Sequence, residues 1–130
     1  MDGDTSALVL AALQLATAAG IVAFWSWWLR ADHDTSWWPE GYAEHEKAFV
    51  LPDSVLAALL TISAILTFQD RPVGGQLALL AAGMMLFLAL IDLAYFVRNR
   101  MFVPERDGVG NALLVGWLLV FAIVLAVANV

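Results

Sequence analysis

Cysteine is absent from the 130-residue chain, which excludes disulfides, thiolate metal ligands and any quinone–disulfide relay. Charge is scarce: 14% of residues carry it, and 6 Lys or Arg stand against 12 Asp or Glu, for a net −6. An acidic chain without a basic stripe is not built to hold nucleic acid. Neither a glycine-rich phosphate loop nor an HExxH pair occurs, so the commonest phosphate and zinc-hydrolase motifs are missing. The start, Met1-Asp2-Gly3-Asp4-Thr5-Ser6, brings acids and no Lys or Arg. A secretory signal needs a positive leader, so the first apolar run is expected to be retained.

What is present is apolar. Hydrophobic residues make up 62% of the chain, concentrated in four runs, roughly Ala7–Leu29, Ala48–Phe68, Gly74–Val97 and Val109–Ala128. Each is about 20 residues or longer, enough for a helix rising ~1.5 Å per residue to cross a ~30 Å hydrocarbon layer. A soluble bundle would carry charge along one face of each helix, and these runs carry almost none. The expected architecture is all-α: one integral membrane up-down four-helix domain spanning residues 1–130, with a Trp-rich loop at 30–47. The other two connections, Gln69–Val73 and Arg98–Gly108, are short, which makes consecutive helices antiparallel neighbours.

The basic residues set an expected orientation. Arg30 and Lys47 flank the first loop, Arg71 lies in the second, and Arg98, Arg100 and Arg106 lie in the third. The positive-inside rule then places loops one and three in the cytoplasm and both termini outside. Acid-rich loops and Ala- and Val-rich spans point to the cell membrane of a prokaryote. Aromatics and polar residues crowd the expected cytoplasmic end, where any site is expected to open.

The first span aligns Ala12, Ala16 and Gly20 at four-residue spacing. Small residues so placed let helix backbones approach closely, inside the bundle or across a homodimer. Gln14 sits mid-span and calls for a partner such as Thr61, Thr67 or a neighbouring backbone. In the second span Pro52-Asp53-Ser54 suits a helix start, with Asp53 answering the helix dipole or standing at the mouth of a polar stripe through Ala57, Thr61 and Ala64. Asp92 lies well inside the third span, about six residues or ~9 Å from Arg98. A carboxylate at that depth is costly by a few kcal/mol, so it either marks a ligand or pathway or is paired with Arg98, Arg100 or Lys47. Tyr42 and Tyr95 are its candidate hydrogen-bond partners. Asn111 enters the fourth span near the same level, as a cap, an interhelical bond or a site residue; Ala112 and Gly116 repeat the small-residue spacing.

The first loop mixes five acids with His33, His45, Trp37, Trp38 and Tyr42. The histidines are far apart without companion ligand spacing, and His45 between Glu44 and Glu46 reads as solvated loop, so no metal and no cofactor are expected. Trp37-Trp38-Pro39 suits a segment lying against headgroups or folding back over the bundle mouth as a lid.

Trp37-Trp38-Pro39-Glu40-Gly41-Tyr42, continuing to Phe49-Val50-Leu51-Pro52-Asp53, resembles a group of small four-span bacterial membrane proteins. That group shares a Pro-Glu-x-Tyr loop, then an aromatic, then a Pro-Asp or Pro-x-Asp helix start. The function of the group is unassigned, so this resemblance, over residues 25–60, implies topology alone. The placement of Asp53, Asp92 and the Trp25/Trp28 pair is similar in outline to the EXPERA superfamily of sterol isomerases and sigma-2-type receptors. The likeness implies a cavity for an amine or sterol; the acid in their second helix lies deeper than Asp53, and their catalytic His/Glu pattern does not align here. Small multidrug transporters share size and span count but rely on a first-helix glutamate, where this chain offers Gln14.

The leading expectation is a membrane protein, not an enzyme, that binds a small amphiphile, a lipid-like ligand or a partner subunit around Asp92 and Asp53. Trp25, Trp28, Trp38, Tyr42, Tyr95 and Asn111 are the expected neighbours of that ligand. An alternative is a lipid- or isoprenoid-modifying enzyme using Asp92 and Asp53 as its acid/base pair. A third is a small transporter working as a homodimer through Ala12, Ala16 and Gly20, or a subunit of a larger membrane complex.

Overall fold

The computed structural model describes residues 3–130, with side chains from residue 5; Met1 and Asp2, part of the acidic start, lie outside the described residues. The described chain is all-α, 81% helical without strands. Helix α1 spans Gly3–Arg30, α2 Tyr42–Lys47, α3 Val50–Phe68, α4 Val73–Arg98 and α5 Gly108–Asn129, with a 3₁₀ turn at Pro104–Arg106. Four of these segments are long and apolar enough to cross a membrane, α2 running on into α3 as one span. The expected all-α bundle of four long apolar helices is thus the observed fold. The observed spans match the apolar runs to within two residues at each end, except that the second begins at Tyr42, six residues before Ala48.

Helix α3 packs on α1 and on α4, and α4 packs on α5. The backbones of α1 and α5 approach far less closely than those neighbours do. Helix α4 lies between α3 and α5 and buries Ala78, Ala81, Ala82 and Ala89. Such small side chains permit close helix contact, which in lipid rests on packing and hydrogen bonds more than on exclusion of water. Leu56, Leu60, Met85 and Leu125 fill the centre, each at 1% exposure or less.

A polar relay stitches the half of the bundle away from the long loop. Gln14 Nε2 donates to Ser63 Oγ (2.9 Å) and to the Leu60 carbonyl (3.2 Å), and Ser63 Oγ donates to the Gly74 carbonyl (2.7 Å). Three helices are thereby joined by groups that would be costly in hydrocarbon if left unpaired. The partners of Gln14 are Leu60 and Ser63, not Thr61 or Thr67; both threonines return their hydroxyls to carbonyls on their own helix. Gly74 is required by the same crossing, since a Cβ there would stand 2.7 Å from Thr67 Oγ1 and 2.9 Å from its backbone nitrogen.

The stripe of Ala12, Ala16 and Gly20 does not seat another helix of this chain. These residues are exposed, and a Cβ added at Gly20 would meet nothing within 4 Å. That face of α1 instead borders the wide seam with α5.

Candidate functional site

The widened α1–α5 seam leaves a cavity of about 270 Å³ at the heart of the bundle, reached by side chains from every helix. Its apolar walls come from Ile21, Phe24, Leu56, Met85, Leu88 and Leu118, and Ala16 and Gly20 thin the wall along the seam. Three carboxylates converge on it: Glu46 from α2, Asp53 from α3 and Asp92 from α4. Lys and Arg are missing from its lining. Of the six basic residues, Arg30, Lys47, Arg71, Arg98 and Arg100 are exposed, and Arg106 donates to the Asn99 carbonyl.

Each carboxylate is held differently. Asp53 accepts a 2.8 Å hydrogen bond from Trp25 Nε1. It lies in the first turn of α3, and its bond to Trp25 and its place in the cavity lining turn the carboxylate into the bundle. Asp92 meets none of the basic residues expected for it; the group beside it is the His45 imidazole, with Nε2 3.8 Å from Oδ1, beyond hydrogen-bond distance. Arg98 lies nearly two turns further along α4, at the exposed end, which explains the missing pair. Nor does a tyrosine serve Asp92 Oδ1, which is buried without a hydrogen-bond partner. Tyr95 stacks on the His45 ring, centroids 3.6 Å apart at 10°. Glu46 is 7% exposed, and its Oε1 is likewise buried and unpartnered.

The burial of Glu46 corrects the expectation of a solvated loop around His45. Residues Tyr42–Lys47 form a helical turn and a half, and Tyr42, Glu46 and Phe49 are buried along one face. Tyr42, His45, Glu46 and Phe49 repeat at i, i+3, i+4 and i+7, the spacing of one helical face. That periodicity was the available signal; the neighbouring charges masked it.

The expected aromatic wall divides in two. Trp25 lines the acidic cavity, together with Trp117, which donates from Nε1 to Thr17 Oγ1 (3.1 Å) across the α1–α5 seam. Trp28, Trp38, Tyr42 and Asn111 line a second cavity of about 330 Å³ nearer the loops, and Tyr95 lines neither. Trp28 is three residues beyond Trp25, so it lies ~4.5 Å further along the helix axis, one layer closer to the loop. Phe24, Glu46 and Leu114 belong to both cavities and form the partition between them.

The long loop folds back over the bundle, as expected for a lid. Trp28 and Trp38 stack at 5.8 Å and 7°, and Trp38 packs edge-on to Tyr42 at 4.9 Å. His33 sits among Trp27, Trp28 and Trp38 and donates from Nε2 to the Trp28 carbonyl at 2.7 Å. Further out, Ser36 donates to Asp34 from its hydroxyl (2.7 Å) and backbone nitrogen (3.1 Å), holding that carboxyl below its ordinary range. Asn111 spans the other loop, donating to the carbonyls of Met101 (2.7 Å) and Arg106 (3.0 Å). It braces the loop and does not reach Asp92. Gly108 is obligatory beside it, since a Cβ there would fall 2.2 Å from the Phe102 carbonyl oxygen.

Comparison with family models, with curated proteins and with solved structures finds no match to this chain.

Proposed function

We propose that the protein binds a small cationic amphiphile, its amine held by Asp92 and Asp53 and its tail leaving through the α1–α5 seam toward lipid. One observation carries this reading: three carboxylates share a mostly apolar cavity that no Lys or Arg lines. Burying unpaired charge is costly, and an ammonium guest supplies the missing positive charge. Trp25, Phe24 and Trp117 add aromatic faces suited to cation–π contact. The cavity's 270 Å³ lies near the small end of ligand sites, which run from roughly 300 Å³ upward, so it suits a headgroup and not a whole sterol.

The basic residues at the loop end support loops one and three facing the cytoplasm of a prokaryotic cell, with both termini outside. The aromatic lid then seals the cavity from the cytoplasm and leaves lipid as the route of entry.

The test is tryptophan fluorescence of the protein in nanodiscs, titrated with dodecylamine and, as a neutral control of equal chain length, dodecanol. Charge-assisted hydrogen bonds contribute about 1.5–3 kcal/mol, so Asp92→Asn is expected to weaken amine binding about 10- to 100-fold and leave dodecanol unaffected. Equal binding of amine and alcohol would contradict the reading. A second reading follows from Asp53 and Asp92 approaching one cavity from different helices, the arrangement acid/base chemistry on a lipid requires. Turnover of a lipid extract that is lost in Asp53→Asn would favour it.

A further inference from the structure

We propose that His45, Glu46 and Asp92 form a binding site for a divalent transition-metal ion where α2 meets α4 beside the acidic cavity. Each residue offers one donor atom, and the three donors lie within 4.8 Å of one another. His45 Nε2 and Asp92 Oδ1 are 3.8 Å apart, too far for a hydrogen bond. Two donors each ~2.1 Å from a tetrahedral ion stand about 3.4 Å apart, so a small side-chain adjustment seats a metal between them.

The second observation is independent of that spacing. Among the described residues, the buried side-chain atoms without a hydrogen-bond partner are His45 Nε2, Glu46 Oε1 and Asp92 Oδ1. All belong to this one cluster. Buried polar atoms are rarely left unsatisfied, and an ion is one recognised reason. Glu46, at 7% exposure, is too deeply enclosed to be served by bulk water.

The surroundings hold the donors in place. Tyr95 stacks on the imidazole from one side and Phe49 meets it edge-on at 5.2 Å. Asp92 and Tyr95 are three residues apart on α4, hence on one face, so α4 supplies both a ligand and the ring that orients its partner. One imidazole and two carboxylates, with no thiolate, suit Zn²⁺, Mn²⁺, Fe²⁺ or Co²⁺. Three protein ligands leave one coordination position open, the pattern of an exchangeable site. A divalent ion balances Glu46 and Asp92 and leaves Asp53 as the remaining acid of the cavity. The metal and an amine therefore compete for Asp92.

The experiment uses protein freed of its affinity tag, stripped with chelator and reconstituted in nanodiscs. Titration with Co²⁺ is followed by visible absorption, and Zn²⁺ binding by calorimetry. One equivalent of Co²⁺ is expected to give d–d bands that Zn²⁺ abolishes. His45→Ala is expected to weaken Zn²⁺ at least tenfold, a loss that even outer-sphere partners of a metal cause, while metal-free dodecylamine binding persists. Asp53→Asn is expected to do the reverse. Circular dichroism and size-exclusion profiles check that each variant folds, and His45→Gln replaces a His45→Ala that does not. No saturable Co²⁺ spectrum in the folded wild type, or Zn²⁺ affinity unchanged in a folded His45 variant, overturns the site without touching the amine reading.

Discussion

Ser63 shows how much a single polar residue carries in this protein. It is fully buried, accepts from Gln14 and donates to Gly74. Ser63→Ala removes both bonds and strands the Gln14 amide with only the Leu60 carbonyl. Interhelical hydrogen bonds in membranes contribute about 0.6 kcal/mol on average and up to ~1.7, so the variant is expected to lose about 1–2 kcal/mol in reversible unfolding. Gln14→Leu, which removes the amide along with its need for a partner, is expected to lose less. Single residues were also where sequence reading reached furthest and failed most. Asp92 announced itself, because a lone carboxylate in an apolar run has few explanations. Glu46 did not, because an acid beside His45 and Lys47 has the pattern of a wet loop until the fold buries it. The contact of His45 with Asp92 joins residues on different helices, and no local spacing encodes it.

At the scale of elements, the loop at 30–47 is a packed lid and not a tether. Its stability rests on aromatic pairs, chiefly Trp28–Trp38 and Trp38–Tyr42, each contributing about 0.5–1.5 kcal/mol beyond the area buried. Trp38→Ala is therefore expected to raise amide hydrogen exchange through residues 33–47 by tenfold or more, with the exchange of α4 unchanged. Uniform exchange across the chain would show that the lid has no separate stability. The four spans were legible because length and apolarity alone define them. The lid was legible only in outline: two tryptophans before Pro39 indicated an interfacial segment, while the division of the aromatics between two cavities depends on helix rotation. The small-residue stripe of α1 met the same limit. Its spacing suggested close packing, yet α1 leans on α3 and leaves Ala16 and Gly20 facing the cavity.

For the whole molecule, the charge distribution predicts how it sits. The absence of cysteine makes the orientation directly testable by single introduced cysteines. Ser36→Cys and Glu105→Cys are expected to react with a membrane-impermeant maleimide only after cells are opened, and Asp70→Cys in intact cells. The opposite pattern would invert the bundle and place the lid outside. In either orientation the acidic cavity lies between the lid and the Gln14–Ser63 relay. Leu60 and Leu125, both fully buried, pack the bundle around that relay.

The central claim is that the acidic cavity recognises an ammonium group. The most direct measurement is an experimental map of the protein in nanodiscs with dodecylamine, at a resolution that shows side chains. The account predicts density for the amine nitrogen at a charge-assisted hydrogen-bond distance, about 2.7–2.9 Å, from Asp92 or Asp53, with the chain emerging past Gly20 and Trp117. A cavity without amine density, with Asp92 paired to one of the protein's own Arg or Lys side chains, would contradict it.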